Sequence, residues 1–152
     1  MSTGQPIKRV VQKHDDGCGM ACVAMLAGVS YWVACETIFG SHQSDATSLA
    51  DVRCALMDFG VQTPEHMTPF WDADYTQLRN HALLALDPRP NGQWHWAVWD
   101  AMRRRIVDPL KTPSKQPVVV GFLELSSTIN ITGPCADPVT AAETQTTPLR
   151  DR

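Results

Sequence analysis

No run of apolar residues in this chain of 152 approaches the about 18 to 20 that a membrane span requires, so no transmembrane segment is expected. The N-terminal stretch MSTGQPIKRVVQ lacks the apolar core of a secretory signal, which points to a cytoplasmic protein. Basic charge is not in surplus either: 13 Lys and Arg stand against 16 Asp and Glu, and no charge run exceeds Arg103-Arg104-Arg105. Without a basic field, a nucleic-acid partner is not expected. The cysteines, Cys18, Cys22, Cys35, Cys54 and Cys135, number 5 and form no CxxC pair. An odd, unpaired set argues against both a disulfide framework and a zinc knuckle, and fits reduced thiols in a reducing compartment.

What is present suits one domain with a real core. Met1 to Ile7 reads as a loose polar arm and Lys8 to Gln12 as a short strand or an extended lead-in. Cys18 to Ala27 reads as a helix apolar around most of its circumference, hence buried, with Gly28 as its stop. Ser30 caps a second helix, Tyr31 to Phe39, ended by Gly40, and Ser48 caps a third, Leu49 to Phe59, ended by Gly60. Val61 to Asp74 is loop-like and Tyr75 to Asn80 a short helix. The period then changes. His81 to Asp87, Trp94 to Asp100, Arg105 to Asp108 and Val118 to Leu125 read as strands, the second and third joined as a hairpin. Helices first and an antiparallel sheet afterwards make an α+β domain over residues 1–131. The Thr, Ala and Pro-rich remainder, 132–152, carries Cys135 and reads as a disordered tail.

The chain is organised around QKHDDGCGM, where a polar loop runs into the first helix. A cysteine in the first turn of a helix has its thiolate stabilised by unpaired N–H groups and the helix dipole. Cys18 holds that position. Gly17 and Gly19 leave the backbone beside the sulfur bare, so that an extended peptide can approach it. Upstream, the side-chain amide of Gln12 offers a second donor beside the Cys18 N–H, and two donors at one point make an oxyanion hole. A lone cysteine is more often a packing residue, which is the reading given to Cys22, Cys35 and Cys54. What lifts Cys18 out of that class is a base and an orienting group elsewhere. His95 and Asp108 lie on or at the end of adjacent strands, where a hairpin brings them together. Trp94 and Trp96 flank His95 and complete, with Gly17 and Gly19, the expected substrate contacts. Asp100 sits too far along the strand from His95 to replace Asp108. His14, Asp15 and Asp16 do not share the spacing of a zinc site, so no metal or cofactor is expected. His42, His66 and His81 are assigned to surface or loop positions, and Arg103 to Arg105 to a solvated hairpin tip.

A helix-borne thiol facing a sheet-borne imidazole is the layout of papain-like cysteine peptidases. Gln12, the Asp16-Gly17-Cys18-Gly19 step, the Ala-rich helix, the His95-Trp96-Ala97-Val98 strand and Val107-Asp108-Pro109 resemble the double-glycine leader peptidases. Members of that family form the cytoplasmic N-terminal domain of bacteriocin-exporting ABC transporters and also occur as stand-alone proteins. The likeness runs from about Lys8 to Leu125. It implies Cys18 as nucleophile, His95 as general base and acid, Asp108 as its orienting partner and Gln12 as oxyanion donor. Val61 to Asn80 has no counterpart, and Leu110 to Ser114 lacks the glycine that often follows there; both segments are expected to shape substrate subsites. Two functions follow. One is a cysteine peptidase, without transporter or ATP-binding regions, that acts on a peptide or protein through a Cys18 thioester. The alternative is a catalytically silent peptide- or protein-binding module on the same fold.

Overall fold

The computed structural model describes residues 5–126. The tail assigned to 132–152, with Cys135, lies outside them. The chain forms α1 (Cys18–Ala27), α2 (Tyr31–Phe39), α3 (Leu49–Asp58), β1 (Thr68–Pro69), a 3-10 turn (Tyr75–Gln77), β2 (Ala82–Leu86), β3 (His95–Asp100), β4 (Arg105–Val107) and β5 (Val119–Glu124). Helix ends sit where the punctuation places them. Gly28 and Gly40 take left-handed φ of 73° and 72° to close α1 and α2. Ser30 accepts the Val33 N–H, and Ser48 forms a full capping box with Asp51.

The strands form one antiparallel sheet in the order β1-β5-β2-β3-β4. One face, with Leu83, Ala85, Trp96, Val98 and Leu123, joins the helices in the main core. Gly19 to Leu26 of α1 are all buried there, as an all-round apolar helix requires. The other face, with Ala82, Leu84, Leu86, Ala97, Trp99 and Phe122, is covered by Tyr75 and Leu78. The Tyr75 ring meets Trp99 edge-on at 5.1 Å. Cover on both faces explains why ALLAL of β2 lacks alternation: all five positions are buried. The architecture is therefore α+β, as expected.

Several expectations are corrected. Of the two readings of Lys8 to Gln12 only the strand fails: the segment is a lead-in to the site, tied where the Gln12 N–H donates to the Pro109 carbonyl at 2.9 Å. The arm before it is not loose at its inner end, because Ile7 is 2% exposed and its N–H donates to Asp100 Oδ2 at 3.0 Å. His81 is wholly buried instead of exposed: its Nδ1 accepts the Ala101 N–H at 3.0 Å and its Nε2 donates to the Gln5 carbonyl at 2.5 Å. Cys54 is disulfide-bonded, so the thiols are not all reduced.

Candidate active site

The site begins with the loop that delivers Cys18. The Gly17 N–H donates to the His14 carbonyl at 3.1 Å, closing a tight turn, and Gly17 is the N-cap of α1 with no side-chain cap of its own. Cys18 follows as the first helical residue, half-buried, with the rest of the helix locked in the core beneath it. From the sheet, the Trp96 N–H points at the Cys18 sulfur at 3.5 Å. The last β3–β4 pair is Val98 with Val107, so the start of β3 lies beyond β4's cover and is open to the helix end.

His95 and Asp108 meet at the same place. Asp108 follows the last residue of β4 and accepts from His95 Nε2 at 2.8 Å and from the Leu110 N–H at 2.9 Å, both through Oδ1. A carboxylate only accepts, so Nε2 carries the proton and Nδ1 is the nitrogen left for the sulfur. Burial opposes charge on the ring. Hydrogen bonds with Asp108 and Cys18, and the negative charge of both, outweigh it and raise His95 from 6.5 to about 9. The structure thus joins His95 and Asp108 in one hydrogen bond on the cleft that Cys18 also lines, with the ring biased toward imidazolium. Cys22, one turn below, is wholly buried; burial pushes its thiol well above 9.0, and the charges of Cys18 and Asp108 push it further. It packs, as expected.

The remaining assignments fare differently. Gln12 lies beside the loop, but its Nε2 donates to the carbonyls of His14 at 2.8 Å and Asp15 at 3.0 Å, so neither amide hydrogen is free for an oxyanion. Gly17 and Gly19 do not leave open space. A Cβ on Gly17 would fall 2.1 Å from the Tyr31 hydroxyl, and one on Gly19 2.0 Å from Thr47 Oγ1. The glycines admit the protein's own side chains, and neither borders the cleft. Trp94 and Trp96 do border it, packed edge-to-face at 5.4 Å. His14 bonds the Tyr31 hydroxyl at 2.8 Å, and Asp16 accepts from Ser44. Among the described residues no group of three His, Cys, Asp or Glu is placed to hold a metal ion.

Cys18 and His95 open into a cleft of about 950 Å³. One wall is the Lys13–Asp16 loop, another the α2–α3 connection with Thr47 and the start of α3 with Leu49, and a third the β2–β3 turn with Arg89 and Trp94. Leu110 borders the cleft, whereas no residue of Val61 to Asn80 does; within that segment Val61 and Met67 pack into the main core, and Tyr75 and Leu78 cover the far face of the sheet. The walls from Thr47 and Arg89 carry no local sequence signal, since both sit in connections whose position depends on the elements they join. Thr47 is held by the indole of Trp96, whose Nε1 donates to its carbonyl at 3.4 Å.

No family model and no curated protein matches the chain. Among solved structures it is similar to a double glycine motif protease from an AMS/PCAT transporter, crystallised in complex with the leader peptide. The TM-score is 0.60 at 15% sequence identity, over 84% of this chain and 95% of that one. No helix among the described residues is long and apolar enough to cross a membrane. The likeness establishes the fold: this chain has the α+β fold of a papain-like peptidase domain.

Proposed function

We propose that this protein is a cysteine peptidase acting on a peptide or isopeptide bond. The observation that carries the reading is the buried Nε2–Oδ1 hydrogen bond of 2.8 Å between His95 and Asp108, on a ring that lines the same cleft as Cys18. In the reaction, Cys18 passes its proton to His95 and its sulfur attacks the scissile carbonyl carbon. The electron pair moves to the carbonyl oxygen, which the Cys18 N–H stabilises at the start of α1. As the C–N bond breaks, imidazolium His95 gives its proton to the leaving amine, and an acyl thioester remains on Cys18. Water, deprotonated by His95, then attacks the thioester; the carboxylate product leaves and the thiol is restored. Asp108 keeps the ring in the productive tautomer throughout. The resemblance makes a double-glycine leader peptide the first substrate to test, and the leader peptide bound by the similar protease supports that choice.

A silent binding module on this fold is the second reading. What favours it is the Gln12 amide, both of whose hydrogens are engaged elsewhere. The two separate on turnover. Peptides with and without a Gly-Gly step are incubated with the wild type and with Cys18→Ala, and products are read by mass spectrometry. Cleavage that falls by about 10⁴-fold or more in Cys18→Ala supports the peptidase. Cleavage at equal rates refutes it, and tight binding without cleavage by the wild type selects the module.

A further inference from the structure

Gln12 makes contacts with both halves of the site. Through its backbone, the N–H donates to the Pro109 carbonyl at 2.9 Å, next to Asp108. That strand end is fixed further by Arg9, whose Nε donates to the Asp108 carbonyl at 2.9 Å and whose Nη2 donates to Leu110. Through its side chain, Nε2 spans the His14 and Asp15 carbonyls at 2.8 and 3.0 Å. The His14 carbonyl also accepts the N–H of Gly17, the N-cap on which Cys18 follows. The amide orientation is forced: turned over, it would set an oxygen against two carbonyl oxygens. In the orientation present, Oε1 is buried with no partner, a cost accepted for the two bonds Nε2 makes.

We propose that Gln12 is a positioning residue, a clasp that ties the loop carrying Cys18 to the strand end carrying Asp108 and so sets how the sulfur meets His95. It acts on the site before any substrate carbonyl arrives, which is a different role from donating to an oxyanion. The inference deepens the peptidase reading but does not depend on turnover, because the geometry it concerns belongs to the thiol.

The two roles separate with a reagent that forms no oxyanion. Iodoacetamide alkylates sulfur by displacement at a CH₂: the S–C bond forms, the C–I bond breaks and iodide leaves. Gln12→Met keeps the length of the side chain and removes both donors. Cys18 alkylation is followed on its own tryptic peptide by mass spectrometry, with Tm as the control for folding. If Gln12 is the clasp, alkylation of Cys18 slows about tenfold or more and peptide hydrolysis falls by a matching factor. The pH at which alkylation is half-maximal moves as well, which a change in global stability alone does not produce. If Gln12 is an oxyanion donor, hydrolysis falls by about 10² to 10³ while alkylation is unchanged, and the proposal is overturned. Unchanged alkylation and unchanged hydrolysis also overturn it. Should Gln12→Met fail to fold, Gln12→Asn serves, since its amide is one methylene too short to span both carbonyls. Slowed alkylation in a protein whose wild type cuts no peptide would uphold the clasp and reject the peptidase.

Discussion

Asp108 Oδ1 lies 2.8 Å from His95 Nε2, and the two side chains are 7% and 6% exposed. The pair makes folding depend on pH. His95 holds its proton up to about 9 in the folded protein, against 6.5 ordinarily. A group whose pKa rises on folding contributes stability that is complete below its unfolded value and is lost as pH climbs through the folded one. Tm of the wild type is expected to fall between about pH 6 and about pH 10, with the His95 contribution fading across that window. Asp108→Asn keeps the shape of the side chain and removes its charge, so its Tm profile flattens there. Profiles of equal slope in the two proteins would disprove the coupling.

The three cysteines Cys18, Cys22 and Cys35 differ sharply in setting. Cys22 and Cys35 are buried, burial raises both thiols, and the Cys35 sulfur also donates to the Gln43 carbonyl at 3.0 Å. Cys18 alone of the three borders the cleft. Brief treatment of the folded protein with iodoacetamide at neutral pH is expected to label Cys18 while Cys22 and Cys35 stay unmodified until urea is added. Equal labelling of Cys18 and Cys22 without denaturant would contradict the burial that separates them.

Gly17 is needed for packing rather than for substrate room, and this is testable by rescue. An added Cβ meets the Tyr31 hydroxyl at 2.1 Å, with Tyr31 Cζ at 3.1 Å and the His14 carbonyl at 3.2 Å behind it. Gly17→Ala is expected to cost about 1–3 kcal/mol by overpacking. Tyr31→Phe removes the atom in closest conflict, so the double variant should lose less than the sum of the single losses. Chemical denaturation of the four proteins measures the cycle. Strict additivity would mean that Gly17→Ala is accommodated away from Tyr31.

The same contact shows where sequence reading stops. α1 and α2 have the bounds read from sequence because Gly28, Ser30 and Gly40 are local signals, decided by φ and by one side-chain bond. His95 and Asp108 were legible because a short hairpin fixes their approach, and Trp94 and Trp96 because they are neighbours of His95. The failures are long-range, save the one at Gln12. β1 is two residues that become a strand only by pairing with β5. The space beside Gly17 and Gly19 is filled from α2 and from the α2–α3 connection, which no local pattern announces. The amide of Gln12 is engaged by carbonyls two and three residues on, in a loop whose turn had to be seen to be counted. His81 reads as a strand-end polar residue until Gln5 and Ala101 are found on its two nitrogens.

Asp100, set aside as a partner for His95, organises the opposite end of the same hairpin. It is wholly buried; Oδ2 accepts the Ile7 N–H at 3.0 Å, and Oδ1 accepts the N–H groups of Met102 at 2.9 Å and Arg103 at 3.1 Å. Its Oδ1 also lies 3.8 Å from His81 Nδ1. One carboxylate therefore closes the β3–β4 turn and holds the N-terminal segment that leads to Gln12. Asp100→Ala strands three donors, of which the Ile7 N–H is the one deepest from water, and is expected to cost about 3 kcal/mol. Asp100→Asn retains one acceptor oxygen and should cost less. Because the lost bonds include the one at Ile7, release should be local before it is global: trypsin is expected to cut after Lys8 or Arg9 well below the Tm of the Asp100→Ala protein, and not in the wild type. If the alanine variant is destabilised yet Lys8 and Arg9 stay protected until the whole domain unfolds, Asp100 stabilises the turn alone and the clamp on the N-terminal segment lies elsewhere.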